Sequence, residues 1–273
     1  MFPEAGALSD NEITIQLLLD GFSYVVYDKT CHKFVYLNRC NEPSASLRAA
    51  IRTIETAHQC ELADFGRTMV LFGNCRNTFV PASVFQNRAK ARYLELLGIG
   101  GEGRTAASDF VSTIEANNVF SITDADAATL TEMQGETQFH HATSILVASL
   151  IKNSTQHANE PVIHINVTSP QFDMIVTKGC NLLFHNTFSF KTKEDFLYFL
   201  LFTIDQLHLD TGTVPVYFLG GIEEKSQLVD FAARYIRDIR FVRRDNDMTF
   251  DEEIEKMPYF HNYLLFNSIT CEL

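Results

Sequence analysis

Three places in the chain carry residue types that could handle an anion or a metal. The first is the corner Asp20-Gly21-Phe22-Ser23, set between the apolar runs 13–19 and 22–27. Gly21 allows a positive φ and close backbone approach, so amide hydrogens in such a turn can face a phosphate. Asp20 is a hard oxygen donor able to hold magnesium through water, and Ser23 adds a hydroxyl. Asp-Gly between apolar runs is also the strongest short-range signal for a plain β-hairpin, so both readings stand. The second place is Gly220-Gly221 in YFLGGIEEK, between a strand pattern and a helix pattern. A tight turn uses glycine there for geometry alone. Glu223 and Glu224 suit the positive end of the helix that follows and discourage a phosphate at it. The third is RYIRDIRFVRR, with Arg234, Arg237, Arg240, Arg243 and Arg244, followed closely by acidic DEEIE (251–255). A solvated, salt-bridged face accounts for it, and so does an anion or partner site.

Other chemistries fail on context. GIGGEG (98–103) fits G-x-G-x-x-G, but it follows the helical pattern KARYLELL and so lacks the strand before the turn that a dinucleotide site needs. No G-x-x-x-x-G-K-[ST] or G-x-S-x-G occurs. His140 and His141 are adjacent and do not converge on one metal; a capping or surface role suits them. The six cysteines show no C-x-x-C pair, which excludes a zinc ribbon or thioredoxin motif and suggests reduced thiols in a cytosol. A net charge of -12 disfavours general binding to nucleic acid or anionic membrane. The N-terminus has no basic region or apolar core, and the longest apolar run, near 196–204, falls far short of the roughly 20 residues that span a bilayer. The expectation is a cytoplasmic protein with no membrane span.

These corners must be positioned by a substantial fold, since 273 residues with 46% hydrophobic content can bury a real core. The 23 phenylalanines and absent tryptophan point to packing rather than chemistry. Runs 13–19, 22–27 and 33–37 read as a three-strand meander. PSASLRAAIRTIETAH repeats Leu47, Ile51 and Ile54 at helical spacing, with Ser44 or Ser46 as cap. RTMVLFG is a buried strand, TFVPASVF a short extended piece, and NRAKARYLELLG a helix. NVFSITDADAATLTEM reads as a strand and a capped helix, and FHHATSILVASLIK as a second helix. From Pro161 the order returns: strands in PVIHINV, FDMIVTK and NLLFHNTF, a long helix in KTKEDFLYFLLFTIDQLHL, the strand VPVYFLGG, a helix in EEKSQLVDFAARYI and a last strand IRFV.

The shared element order predicts a duplicated α/β unit. DKTCHKFVY and TKGCNLLFH align across the two halves, Lys29 over Lys178 and Cys31 over Cys180. Residues 98–118, rich in Gly and polar residues, read as an irregular insert or linker. The expected domains are 1–118 and 119–273.

This plan resembles two tandem ribonuclease-H-like subdomains, the actin-like ATPase fold. LLLDGFSYVVYD, NVFSITDADAATLTEM before FHHATSIL, and YLLFNSITCEL narrow the resemblance to a bacterial domain-of-unknown-function family of that clan. The resemblance covers nearly the whole chain and supplies a fold, not an activity. It implies ATP and magnesium in a cleft between the subdomains. The first hairpin would offer Asp20, Gly21 and Ser23, the second Thr168 and Ser169, and Gly220-Gly221 would receive the adenosine. The second hairpin departs from the pattern. Val167, Thr168, Ser169 and Pro170 stand where the family has Asp and Gly, Asp173 lies inside the next strand, and Pro170 removes a donor. Without that carboxylate, efficient hydrolysis is not expected. The expectation is a degenerate, non-hydrolysing protein that binds a protein partner; the alternative is a Mg-ATP-binding actin-like ATPase.

Overall fold

The first three apolar segments form a meander because each is a short β-capable run cut by a turn, the first two buried on both faces. Strands β1 (Asn11–Leu18), β2 (Gly21–Asp28) and β3 (Lys33–Cys40) pair antiparallel in sequence order. The computed structural model describes residues 2–3, 5–42, 46–153, 160–244, 248–269, 271 and 273. Helix α1 (Leu47–His58) follows, capped by Ser46, whose hydroxyl accepts from the Ala49 amide at 3.3 Å. Ser44, the alternative cap, lies outside the described residues. The helix buries Leu47, Ala50 and Ile54 against Ile13, Ile15 and Phe22. Each of the leucine, isoleucine and phenylalanine side chains contributes roughly 1.5–3 kcal/mol on burial. Strand β4 (Arg67–Phe72) then runs parallel to β1.

An insertion follows. Strand β5 (Asn77–Pro81), helix α2 (Lys90–Leu96), strand β6 (Arg104–Val111) and strand β7 (Ala116–Thr123) build a separate three-stranded sheet in the order β5-β7-β6. The segment 98–118 is therefore not an irregular linker. Its glycines end at Gly103, and β6 buries Ala107, Asp109 and Val111. An aspartate on the inward face hid the alternation. Helix α3 (Asp124–Glu132), capped by Thr123, leads to strand β8 (Thr137–His141), parallel to β4, and to helix α4 (Ala142–Lys152).

The pattern then repeats. Strands β9 (Pro161–Thr168), β10 (Gln171–Lys178) and β11 (Asn181–Ser189) form a second meander. Helix α5 (Lys193–Gln206) starts at a capping box in which the Asp195 amide donates to Thr192 and the Thr192 amide donates to Asp195. Strand β12 (Val216–Gly220) runs parallel to β9, and after helix α6 (Gln227–Ala232) strand β13 (Ile239–Phe241) runs parallel to β12. The chain ends with strand β14 (Thr249–Phe250) against β3, helix α7 (Glu252–Glu255) and helix α8 (Tyr263–Ser268).

Two compact units result: Met1–Ala148 with Asn246–Lys256 and Leu264–Leu273, and Ser149–Asp245 with Met257–Tyr263. The sheet of the first has the order β14-β3-β2-β1-β4-β8, that of the second β11-β10-β9-β12-β13. Apart from β14, both follow the same winding: meander reversed, then two parallel strands. Cys31 and Cys180 both sit at the second turn of their meanders. In the second unit one face of the sheet, carrying Ile163, Ile165, Phe172, Met174 and Phe218, packs on Phe196 and Leu200 of α5.

Candidate functional site

Leu19 and Asp20 make the two-residue turn between β1 and β2, since Leu18 pairs with Gly21. Gly21 has φ +147, and a Cβ there would meet the Cys40 carbonyl oxygen at 2.0 Å and the Glu42 nitrogen at 2.9 Å. The end of β3 passes over it, so the fold alone demands glycine. The Asp20 carboxylate accepts from Arg39 Nη2 at 2.6 Å. Arg39 stands opposite Ser23 on the neighbouring strand, and Ser23 is buried within the sheet.

The second hairpin turns at Ser169 and Pro170, with Thr168 paired to Gln171. The Ser169–Pro170 peptide is cis, and the Pro170 carbonyl accepts from the Phe190 amide at 3.0 Å. The turn holds no carboxylate. The next acid along the chain, Asp173, lies on β10 directly opposite Asn166 of β9 and Thr187 of β11. It accepts from Thr187 Oγ1 at 2.7 Å and from Asn166 Nδ2 at 3.1 Å, and His185 Nε2 lies 3.9 Å away. Burial pushes its carboxyl up, but His185, Thr187 and Asn166 outweigh burial and hold it below the ordinary carboxylate range. This charge is satisfied inside the sheet.

The glycine pair ends β12. Gly220 has φ +84, and a Cβ on it would meet the Val167 carbonyl oxygen at 2.4 Å and Asn166 Oδ1 at 2.6 Å. The Gly221 amide donates to the Val167 carbonyl at 2.7 Å and the Ile222 amide to the Gly220 carbonyl at 2.8 Å. Both donors are used within the turn. The next helix starts only at Gln227, capped by Ser226, so Glu223 and Glu224 lie in the loop before it rather than in its first turn. The Ile222 carbonyl lies 2.9 Å from His261 Nε2.

The glycine pair and the second hairpin thus meet: Gly220-Gly221 sits against Asn166 and Val167, next to Thr168 and Ser169. Asp20, Gly21 and Ser23 share one hairpin of the first unit. The residues that define these corners most closely, Arg39, Asn166 and Asp173, gave no motif, because each acts across strands. His141 does take a capping role: the Thr143 amide donates to His141 Nδ1 at 3.1 Å at the start of α4.

Residues 4–239 match a family model described as a protein of unknown function, DUF3822. No curated protein sequence matches significantly. Among solved structures, a Bacteroides thetaiotaomicron VPI-5482 protein with actin-like ATPase fold and unknown function is similar with a TM-score of 0.82 and 17% identity, over 100% of both chains. A chain of the PilM-PilN type IV pilus biogenesis complex is similar with a TM-score of 0.65 and 8% identity, covering 96% of this chain and 99% of that one. The same strand winding in both units agrees with these matches, and the chain belongs to the DUF3822 family and has the actin-like ATPase fold.

Proposed function

We propose that this chain is a non-hydrolysing protein of the actin-like fold that works in the cytoplasm by binding a protein partner. The observation that carries the reading is the second hairpin. Its turn has no carboxylate, and Asp173 is committed to Thr187 and Asn166. A metal-bound triphosphate needs carboxylates placed to hold the ion and orient an attacking water. The first hairpin supports the same reading, because a magnesium ion would have to compete with Arg39 for Asp20. The amides of Gly221 and Ile222 are also already bonded. The alternative, Mg-ATP held by Asp20, Gly21, Ser23, Thr168, Ser169, Gly220 and Gly221, fits these turns less well. The likeness to a chain of the PilM-PilN complex adds a precedent for this fold in a protein–protein assembly. Among the described residues no helix is long and apolar enough to cross a membrane.

The test is thermal unfolding of the full chain with increasing Mg-ATP. A ligand at 100 times its Kd adds about 2.7 kcal/mol, or roughly 5–10 °C for a chain of this size. The expected result is no shift at millimolar Mg-ATP and no phosphate release. A concentration-dependent rise in Tm would overturn the reading in favour of nucleotide binding.

A further inference from the structure

The second unit contains a cavity of ≈ 970 Å³ whose lining includes every residue from Ile239 to Arg244. A cavity lying over one sheet face would be lined by alternate residues of a strand. Val162, His164 and Tyr217 place part of it over that face, and the consecutive residues from Ile239 on carry it past the β13 edge. Only Ile239–Phe241 of that run is strand, so at about 3.3 Å per residue the edge is about 10 Å long. Strand β13 is the last in its sheet, and among the described residues no strand pairs with its far side. The Val216 amide donates to the Asp238 carbonyl and the Val242 amide to the Phe218 carbonyl, so the even-numbered residues of β13 face β12. The amides and carbonyls of Ile239 and Phe241 therefore point to the open edge.

The walls are cationic. Lys152, Arg240, Arg243 and Arg244 line the cavity with one carboxylate, Glu224. This is a local reversal in a chain of net charge -12. Arg240 is braced: it donates to both Asp238 oxygens at 2.7 Å and to the Tyr217 hydroxyl at 2.9 Å, with its guanidinium 5.6 Å over the Tyr217 ring. Tyr217 in turn stacks on His164 at 5.5 Å. Arg243 and Arg244 are exposed.

We propose that this groove docks an extended acidic segment of a partner protein, paired through its backbone to the open edge of β13 and held by Arg243 with Lys152, Arg240 and Arg244 around it. An exposed strand edge supplies main-chain pairing, and the flanking charges select the sequence. The proposal rests on the partner-binding reading and gives it a surface and a ligand chemistry.

The probe is a fluorescent alternating Val–Glu octapeptide, titrated by anisotropy against the full chain, beside its Val–Lys counterpart and a copy N-methylated at alternate residues. The expected result is saturable binding of the acidic peptide that weakens with salt, none for the basic one, and at least tenfold weaker binding for the N-methylated one. Arg243→Glu is expected to weaken the acidic peptide by about tenfold while leaving Tm unchanged, because the side chain is exposed. No saturation by millimolar protein, equal binding of both charges, an unaffected N-methylated peptide, or full competition by ATP would each overturn the proposal. Capture of a cellular partner equally by wild type and Arg243→Glu would also end the groove assignment while leaving the partner-binding reading intact.

Discussion

Gly220 and Gly221 separate a glycine kept for the fold from one kept for a ligand. An adenosine lying on the turn would need both. The structure treats them differently. Alanine at Gly220 would hold a side chain at φ +84 and place Cβ 2.4 Å from the Val167 carbonyl oxygen, which belongs to the central strand β9 and cannot swing away. The left-handed conformation costs about 1–2 kcal/mol, and relieving the overlap by shifting packed backbone about 1–3 kcal/mol more. The sum, roughly 2–5 kcal/mol, is a large part of the 5–15 kcal/mol that typically stabilises a domain. It corresponds to a Tm lower by about 5–15 °C. Alanine at Gly221 would meet the same oxygen at 3.5 Å, an ordinary contact, and Gly101 has nothing within 4 Å. Gly221→Ala and Gly101→Ala should therefore stay within about 1 kcal/mol of wild type. Urea and thermal unfolding of the three variants without nucleotide is the assay. Equal effects at 220 and 221, or a Gly220→Ala variant as stable as wild type, would refute the reasoning.

Three further outcomes follow from the same geometry. Asp20→Ala and Arg39→Ala remove a pair whose side chains are about half exposed, 47% and 49%, so each should cost about 1 kcal/mol or less by urea unfolding. The Asp173 carboxyl is held below its ordinary value in the folded state. Its contribution is thus complete above the unfolded value, about 3.9, and is lost as the pH falls through the lower folded value. Asp173→Asn should flatten the stability–pH curve below about pH 4, and an unchanged acid slope would contradict this. Burial pushes the Cys75 thiol up to about 12, so mass spectrometry after iodoacetamide at pH 8 should find exposed Cys180 modified faster than the partly exposed Cys75, a difference lost when the chain unfolds.

The architecture was legible because its signals are local. Each meander strand is a short apolar run between turn residues, Ser46, one of the two serines read as a cap, does cap α1, and the order repeats after Pro161. The corners were legible as turns but not in their chemistry. Asp20 reads as a metal ligand until β3 brings Arg39, nineteen positions away, to its oxygen. Asp173 reads as misplaced until the register sets it opposite both Asn166 and Thr187. Strand pairing decides these partners, and a spacing rule that follows the chain cannot see across strands.

Asp109 shows the same principle in the inserted sheet. In the sequence it is an acid in the middle of a polar stretch, which argued for a loop. In the fold it is buried, and its two oxygens are shared. His140 Nδ1 lies 3.0 Å from Oδ1, while Oδ2 accepts from the His141 amide at 2.8 Å and from Ser144 Oγ at 2.6 Å. Asn118 then donates to Ser144, and Asn77 to Asn118, so the network reaches β5, β6 and β7. A carboxylate at the N-terminus of α4 also meets the positive end of that helix. The adjacent histidines, His141 buried and His140 partly exposed, thus belong to one polar cluster that ties the insertion to β8 and α4. A buried charge so fully satisfied can be removed from one side only at a cost of several kcal/mol. This makes the insertion a fixed part of the first unit rather than an appended loop.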